Sequence, residues 1–270
     1  MRNTPELLDQ LVNAVRSGRK YSQISPAFVR GLAQKELSHR RSYKEALKAT
    51  KNKLHQVAGA YLETQPNYAQ WLERLQVAQA SAQPAQLKEV CRALMAYHAS
   101  TRERLPILDN FYSTVLAGLP PIRSSLDVAC GLKPLALPWM GLPPLVEYLA
   151  VDIYQDMLDF LGHFMTLLEI RGRTTAADVL EFSLEREVDL ALILKAIPCL
   201  EQLDRDAGQR LLASIPANHL LVSFPVYSLG GRSVGMVETY SAHFEELVSR
   251  GDWSVRRFEF PTELAFLLSR

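Results

Sequence analysis

Several stretches of this 270-residue chain combine side-chain types and spacings that suit ligand chemistry. The first reads Asp127-Val128-Ala129-Cys130-Gly131-Leu132-Lys133-Pro134-Leu135. It is an acid inside an apolar run, followed by a glycine whose missing Cβ lets backbone approach a ligand closely. Asp127 is a candidate for fixing charged or polar ligand groups. Asp152 follows the glycine turn by about 20 residues, the interval at which an acid holds a ribose diol in nucleotide-type sites. Asp178, in Ala177-Asp178-Val179, is placed to accept from an exocyclic amino group. The run from Leu194-Lys195 to Glu201 would form the rim. A single glycine also suits an ordinary strand-to-loop turn, and each acid taken alone reads as an N-cap or a surface residue. Three acids at successive strand ends, in register with one glycine turn, point to a nucleoside-bearing cofactor.

Two further stretches bear on such a site. Tyr97-His98-Ala99-Ser100-Thr101-Arg102-Glu103-Arg104-Leu105-Pro106 is dense in polar groups at a helix junction. Ser100 or Thr101 with Glu103 fits a capping box. The flanking arginines are left over, and Arg is the natural partner of a carboxylate such as that of the methionyl moiety of S-adenosylmethionine. Ser223 to Met236 holds three glycines and a prolyl bond and reads as a shaped loop. There Phe224 and Tyr227 are candidates to stack on a base and Arg232 to hold a phosphate or base edge. The competing reading is a packed loop with a surface arginine. His39, His55, His98, His163, His219 and His243 share no metal-ligand spacing, so no metal is expected. Cys91, Cys130 and Cys199 are odd in number and far apart, which fits a reducing cytoplasm better than a disulfide framework.

Positioning these residues requires a sheet. From about residue 122 short apolar runs at 124–129, 147–152, 174–178, 188–194, 219–224, 253–259 and 262–269 read as strands, the first five separated by segments such as 154–170 and 204–214 that read as helices. Strand–helix alternation implies a mostly parallel sheet covered on both faces. The last two runs are split only around Pro261 and should pair as an antiparallel hairpin. Seven strands with that ending describe the α/β, class I (Rossmann-like) methyltransferase sheet, with another α/β enzyme carrying an antiparallel edge still open. Before it the chain reads as all-helical: a segment from Pro5 to Gly18, then about 25–36, 42–62, 66–79, 84–99 and 104–117. The domains expected are a helical region at 1–118 and a catalytic domain at 119–270.

The formal net charge of +1 conceals an asymmetry. Residues 1–60 hold 12 Lys and Arg against 4 acids, net +8, so the remainder is net −7. A basic start on an acidic body suggests a polyanionic partner, a solvated helical surface being the other reading. A hydrophobic content of 48% argues against disorder, and no apolar run approaches the ~20 residues of a membrane helix. The first residues lack the pattern of a signal peptide.

Together these pieces resemble the aminoglycoside-resistance 16S ribosomal RNA methyltransferases that modify N7 of guanine 1405. The likeness runs through Arg19-Lys20-Tyr21 with Ser25-Pro26, Thr50-Lys51 with Leu54-His55, and Pro66-Asn67-Tyr68. It continues through Ser100-Thr101-Arg102-Glu103-Arg104-Leu105-Pro106, Ala129-Cys130-Gly131-Leu132 with Pro134-Leu135, and Pro138-Trp139-Met140-Gly141-Leu142-Pro143. Leu194-Lys195 with Pro198-Cys199-Leu200-Glu201, and Phe224-Pro225 with Ser228-Leu229-Gly230 and Arg232-Ser233, complete it. Lys133 and Gly231 depart from the family pattern, which has Asn and Gln there.

The resemblance implies an enzyme that uses S-adenosyl-L-methionine and docks on 16S rRNA in the 30S subunit through its helical region; with no obvious oligomerisation surface in the sequence, a monomer in the cytoplasm is the default. It implies that Arg102 binds the methionyl carboxylate, Gly131 lines the cofactor, Asp152 takes the ribose and Asp178 the adenine amino group. Lys195, Glu201, Arg232 and Ser233 would lie toward the target nucleotide, Lys195 also bordering the cofactor. Phe224, Tyr227 and Trp139 are the candidates to stack on a displaced base. Methylation of another RNA site is the alternative within the same fold, and a catalytically silent RNA-binding protein the alternative from another class.

Overall fold

Alternation decides the architecture. Along Ser124–Val128 (β1), Leu126 and Val128 point to one apolar layer while Asp127 points to the other, so the strand is covered on both faces. The computed structural model describes residues 4–59, 66–227, 235–249 and 251–270. Its sheet contains β1, Glu147–Asp152 (β2), Arg171–Ala176 (β3), Val188–Leu194 (β4), Ala217–Pro225 (β5), Ser254–Phe260 (β6) and Glu263–Ser269 (β7), in the order β3-β2-β1-β4-β5-β7-β6. The first five strands are parallel, and β7 pairs antiparallel with both β5 and β6. The expected terminal hairpin is therefore present. The third strand begins earlier than its apolar pattern suggests. Arg171 and Arg173 lie on the solvent side of this edge strand, where charge blunts unwanted pairing, and Asp178 falls two residues past its end.

The helices divide by core. Pro5–Arg16 (α1), Pro26–His39 (α2) and Tyr43–Leu54 (α3) enclose their own apolar cluster around Leu11, Val15, Ile24, Val29, Ala33 and Leu54. Thr4 Oγ1 accepts from Leu7 N at 3.3 Å and Ser42 Oγ from Glu45 N at 3.3 Å, capping α1 and α3. Glu36 of α2 is buried between Arg40 (2.9 Å) and Lys53 (2.6 Å), tying α2 to α3. The long helix expected over 42–62 becomes π-helical at His55–Gly59, and its last residues lie outside those described.

Tyr68–Ala80 (α4), Pro84–Met95 (α5), Leu108–Val115 (α7) and Gln155–Leu167 (α9) instead share one core with the sheet, through Trp71, Leu75, Leu94, Phe111, Phe164 and the β-face residues Tyr148 and Leu192. Ile197–Glu201 (α10), Ala207–Ser214 (α11) and Met236–Val248 (α12) cover the opposite face. The apolar layer thus groups the helices from residue 68 onward with the sheet, whereas composition groups them with the amino-terminal helices. The helix expected over 84–99 breaks after Met95 and restarts as Ala99–Arg102 (α6), and that over 104–117 opens with a 3-10 turn at Leu105–Ile107. The short helix Leu137–Met140 (α8) and α12 were not assigned from the sequence. For α12 the signal was present: Val237, Tyr240, Phe244 and Leu247 recur at helical spacing.

Three backbone contacts fasten the amino-terminal cluster over the end of β2. Ser25 N donates to Ile153 O (2.7 Å), Gln155 N to Gln23 O (2.9 Å), and Ile24 bridges Tyr154. The carboxyl edge of the parallel strands, where open α/β sheets bind ligands, is thereby roofed by helices. No helix among the described residues is long and apolar enough to cross a membrane.

Candidate active site

Between that edge and that roof lies a half-open cavity, roughly 760 Å³ of empty space when its solvent-filled mouth is included. Gly131, Asp152, Asp178 and Lys195 line it. So do the apolar side chains of Ile153, Met157, Val179, Leu194 and Leu200, with Phe28 and Val57 reaching in from the helical roof. Four of the residues singled out from the sequence, scattered over 65 positions, thus converge on one space.

Asp152 organises the centre. Its Oδ2 accepts from Gly131 N (2.9 Å) and its Oδ1 from Ile153 N (2.7 Å) and Tyr154 N (3.4 Å), which knits the glycine turn to the end of β2. A carboxylate has about four accepting directions, so one on Oδ2 stays free. Burial pushes its carboxyl up, and the N–H donors pull it back. Gly131 has φ +51°, and a Cβ there would meet His98 Cε1 at 2.9 Å and Nε2 at 3.0 Å. Both handedness and space therefore demand glycine. Asp178 accepts from Leu180 N (3.0 Å) and is likewise raised by burial.

His98, unassigned by the sequence reading, forms the wall opposite Gly131, with Nδ1 3.0 Å from Ser100 Oγ. Burial, with the cations Lys133, Arg102 and Arg104 nearby, pushes its imidazole down to about 3, so it is neutral at physiological pH. The capping box expected here does not form. Thr101 Oγ1 donates to Met95 O (2.6 Å) and His98 O (3.0 Å), closing the helix break, and Glu103 turns to Lys195 Nζ at 2.8 Å.

Other candidates fall elsewhere. Asp127 is fully buried beneath the turn, where Oδ2 accepts from Tyr148 Oη (2.7 Å) and Oδ1 lies 2.8 Å from Lys133 Nζ. It props the turn and does not line the cavity. Lys133 also donates to Val128 O (3.1 Å) and Ala129 O (3.2 Å). Arg102 stands beside the wall, Nη1 reaching Ala96 O at 3.4 Å. Glu201 faces away from the cavity, both oxygens meeting His243 Nε2 of α12 at 2.9 and 2.8 Å.

The stacking candidates sort the same way. Phe224 is fully buried against Tyr240, with ring centroids 4.9 Å apart. Trp139 is buried in the core, donating to Asp109 Oδ1 at 2.9 Å. Tyr227, 43% exposed, is the aromatic of the three left open. Arg232, Ser233, Gly230 and Gly231 lie outside the described residues. Among the described residues no group of three or more His, Cys, Asp or Glu is arranged to hold a metal.

The strand order, the glycine turn and the acids at the ends of β2 and β3 define a class I methyltransferase. The family model described as "Ribosomal RNA methyltransferase (FmrO)" matches residues 16–267, and the chain belongs to that family. A relative from Micromonospora rosea, named 16S rRNA (guanine(1405)-N(7))-methyltransferase, is 38% identical over 97% of each chain. Among solved structures, the 16S rRNA methyltransferase RmtF in complex with S-adenosyl-L-homocysteine superposes with a TM-score of 0.80 at 32% identity, covering 99% of this chain and 100% of that one. The 16S rRNA methylase RmtB superposes at 0.79 and 27% identity, with the same coverage.

Proposed function

We propose that this protein transfers the methyl group of S-adenosyl-L-methionine to N7 of guanine 1405 in the 16S rRNA of the 30S subunit, working as a cytoplasmic monomer and conferring aminoglycoside resistance. The observation that carries the reading is the cavity in which Gly131, Asp152 and Asp178 meet under a basic helical roof. The residues suit the cofactor: a close-approach glycine, acids for ribose and adenine amino group, and apolar walls for a purine. Relatives that cover nearly the whole chain bear this activity in their names.

When bound, S-adenosyl-L-methionine supplies an electrophilic methyl group on a sulfonium. Guanine N7 has an exposed lone pair and no proton, so the chain has to align and desolvate the base rather than deprotonate it. Positioning of this kind can supply up to roughly 7–11 kcal/mol. N7 lies in the narrow major groove of A-form RNA, so the base has to be displaced at a cost of a few kcal/mol. Tyr227 is the candidate to stack on it.

Drug susceptibility of bacteria expressing the chain tests the reading. High resistance to gentamicin and kanamycin with apramycin still effective is expected, and apramycin resistance would point to a different decoding-site methylation. Mapping the modified base by primer extension separates guanine 1405 from any other RNA site.

Two further outcomes are expected. Reversing charge at Lys44 and Lys48, both exposed on α3, together with Arg19 and Lys20, should weaken 30S binding at least tenfold and flatten its salt dependence. Unchanged binding at low and moderate salt in a filter assay would remove the docking role. Arg232→Glu should abolish methylation while leaving cofactor affinity within about twofold. A large calorimetric loss of cofactor binding would refute that division of roles.

A further inference from the structure

The inverted last strand delivers a charge to the cofactor edge. Because β7 runs antiparallel to β5, its first residue arrives where the parallel strands end, Glu263 pairing in register with Pro225. Its carboxylate is fully buried. Oε1 accepts from Arg104 Nη2 (2.6 Å) and Ser223 Oγ (2.6 Å), Oε2 accepts from Arg104 Nε (2.9 Å), and Lys195 Nζ lies 3.5 Å from Oε2. Lys195 Nζ also meets Glu103 Oε2 (2.8 Å) and Ser100 O (3.4 Å). Two cations and two carboxylates from three distant parts of the chain thus form one neutral cluster behind the cavity wall.

Arg104 already neutralises the buried carboxylate through its two-pronged contact and Ser223 adds a third donor, so the approach of Lys195 is additional. Lys195 needs holding. Its φ of +58° is left-handed, uncommon for a side chain larger than glycine, and its backbone N is tied to Ser223 O at 2.9 Å. It lines the cavity, yet its side chain is 4% exposed, drawn inward toward Glu103 and Glu263. A long, rotamer-rich ammonium without those carboxylates would be free to swing into the cavity.

We infer that Glu263 is a positioning residue for methyl transfer that acts through Lys195, holding the ammonium at the wall and fastening the 98–104 segment, with its His98 and Ser100, against β4. This rests on reading the cavity as the S-adenosyl-L-methionine site.

A double-mutant cycle tests it, with S-adenosylhomocysteine affinity read by calorimetry and methyl transfer read in single turnover on 30S subunits. Glu263→Gln should weaken binding about tenfold and slow transfer about thirtyfold. In a Lys195→Met background the same change should leave both within twofold. Equal losses in the two backgrounds would overturn the proposal. Should Glu263→Gln not fold, Arg104→Gln/Glu263→Gln, which removes both buried charges, takes its place. The same tenfold weakening, absent with Lys195→Met, is expected, and parent-like affinity in the folded pair variant overturns the proposal. The calorimetric cycle needs no RNA. An intact cycle in a protein that leaves guanine 1405 unmodified therefore refutes the target alone, whereas a parent that binds no S-adenosylhomocysteine refutes the cavity and this proposal together.

Discussion

Asp152→Ala is expected to weaken S-adenosylhomocysteine binding at least ~100-fold in calorimetric titration and to remove methyl transfer with it. Two effects add. The carboxylate's free accepting direction on Oδ2 is the proposed ribose contact, and a hydrogen bond to a charged group contributes about 1.5–3 kcal/mol. The same carboxylate holds Gly131 N, Ile153 N and Tyr154 N. Leaving those donors unpaired costs about 1–3 kcal/mol each where they stay buried. That second cost lowers the stability of free and bound protein alike and reaches affinity as lost pre-organisation of the glycine turn, which with the direct contact makes up the ~2.7 kcal/mol of a hundredfold change. A dissociation constant within tenfold of the parent's, in a variant that melts cooperatively, would show that the ribose is held elsewhere.

The largest expected effect on stability comes from Arg104→Met. Arg104 and Glu263 are both fully buried, and removing one partner of a buried pair costs about 3–5 kcal/mol because the other charge remains. Urea denaturation measures this directly, and Arg104→Met/Glu263→Leu should recover most of the loss. The pH dependence has a definite sign. Burial works against the Glu263 charge, but Arg104 and Lys195 beside it hold the carboxyl below its usual range. A carboxyl lowered in the folded state contributes stability that is present above the unfolded pKa of ~4.3 and lost as pH falls through the folded value. The Arg104→Met variant should therefore lose less on acidification than the parent does. A parent whose stability is flat from pH 6 to pH 3 would contradict the ion pair.

Local grammar made much of the site readable. Gly131, Asp152 and Asp178 sit at consecutive strand ends, a pattern of spacing that needs no knowledge of side-chain direction. Spacing is silent where side-chain direction decides. Asp127 looks equivalent to Asp152 in the chain, but strand alternation turns it into the layer shared with Tyr148, where Lys133 neutralises it. Phe224 alternates into the core against Tyr240, and Trp139 turns toward Asp109. Glu201 meets His243 of α12, a partner 42 positions away that no local spacing signals. Glu263 gave no local signal at all. Its partner Arg104 is 159 residues distant, and only the antiparallel order of β5 and β7 brings the two together.

The backbone contacts that fasten Gln23, Ile24 and Ser25 to Ile153, Tyr154 and Gln155 begin one residue after Asp152. The cluster proposed to dock on RNA and the cavity therefore share a peptide segment, which gives docking a covalent route to the cavity. By thermodynamic linkage, whatever factor the 30S subunit imposes on cofactor affinity, the cofactor imposes on 30S affinity. Dissociation constants measured on the free enzyme describe one corner of that cycle. Under the proposed docking, the difference between the free and ribosome-bound values measures the coupling between 30S binding and the cavity.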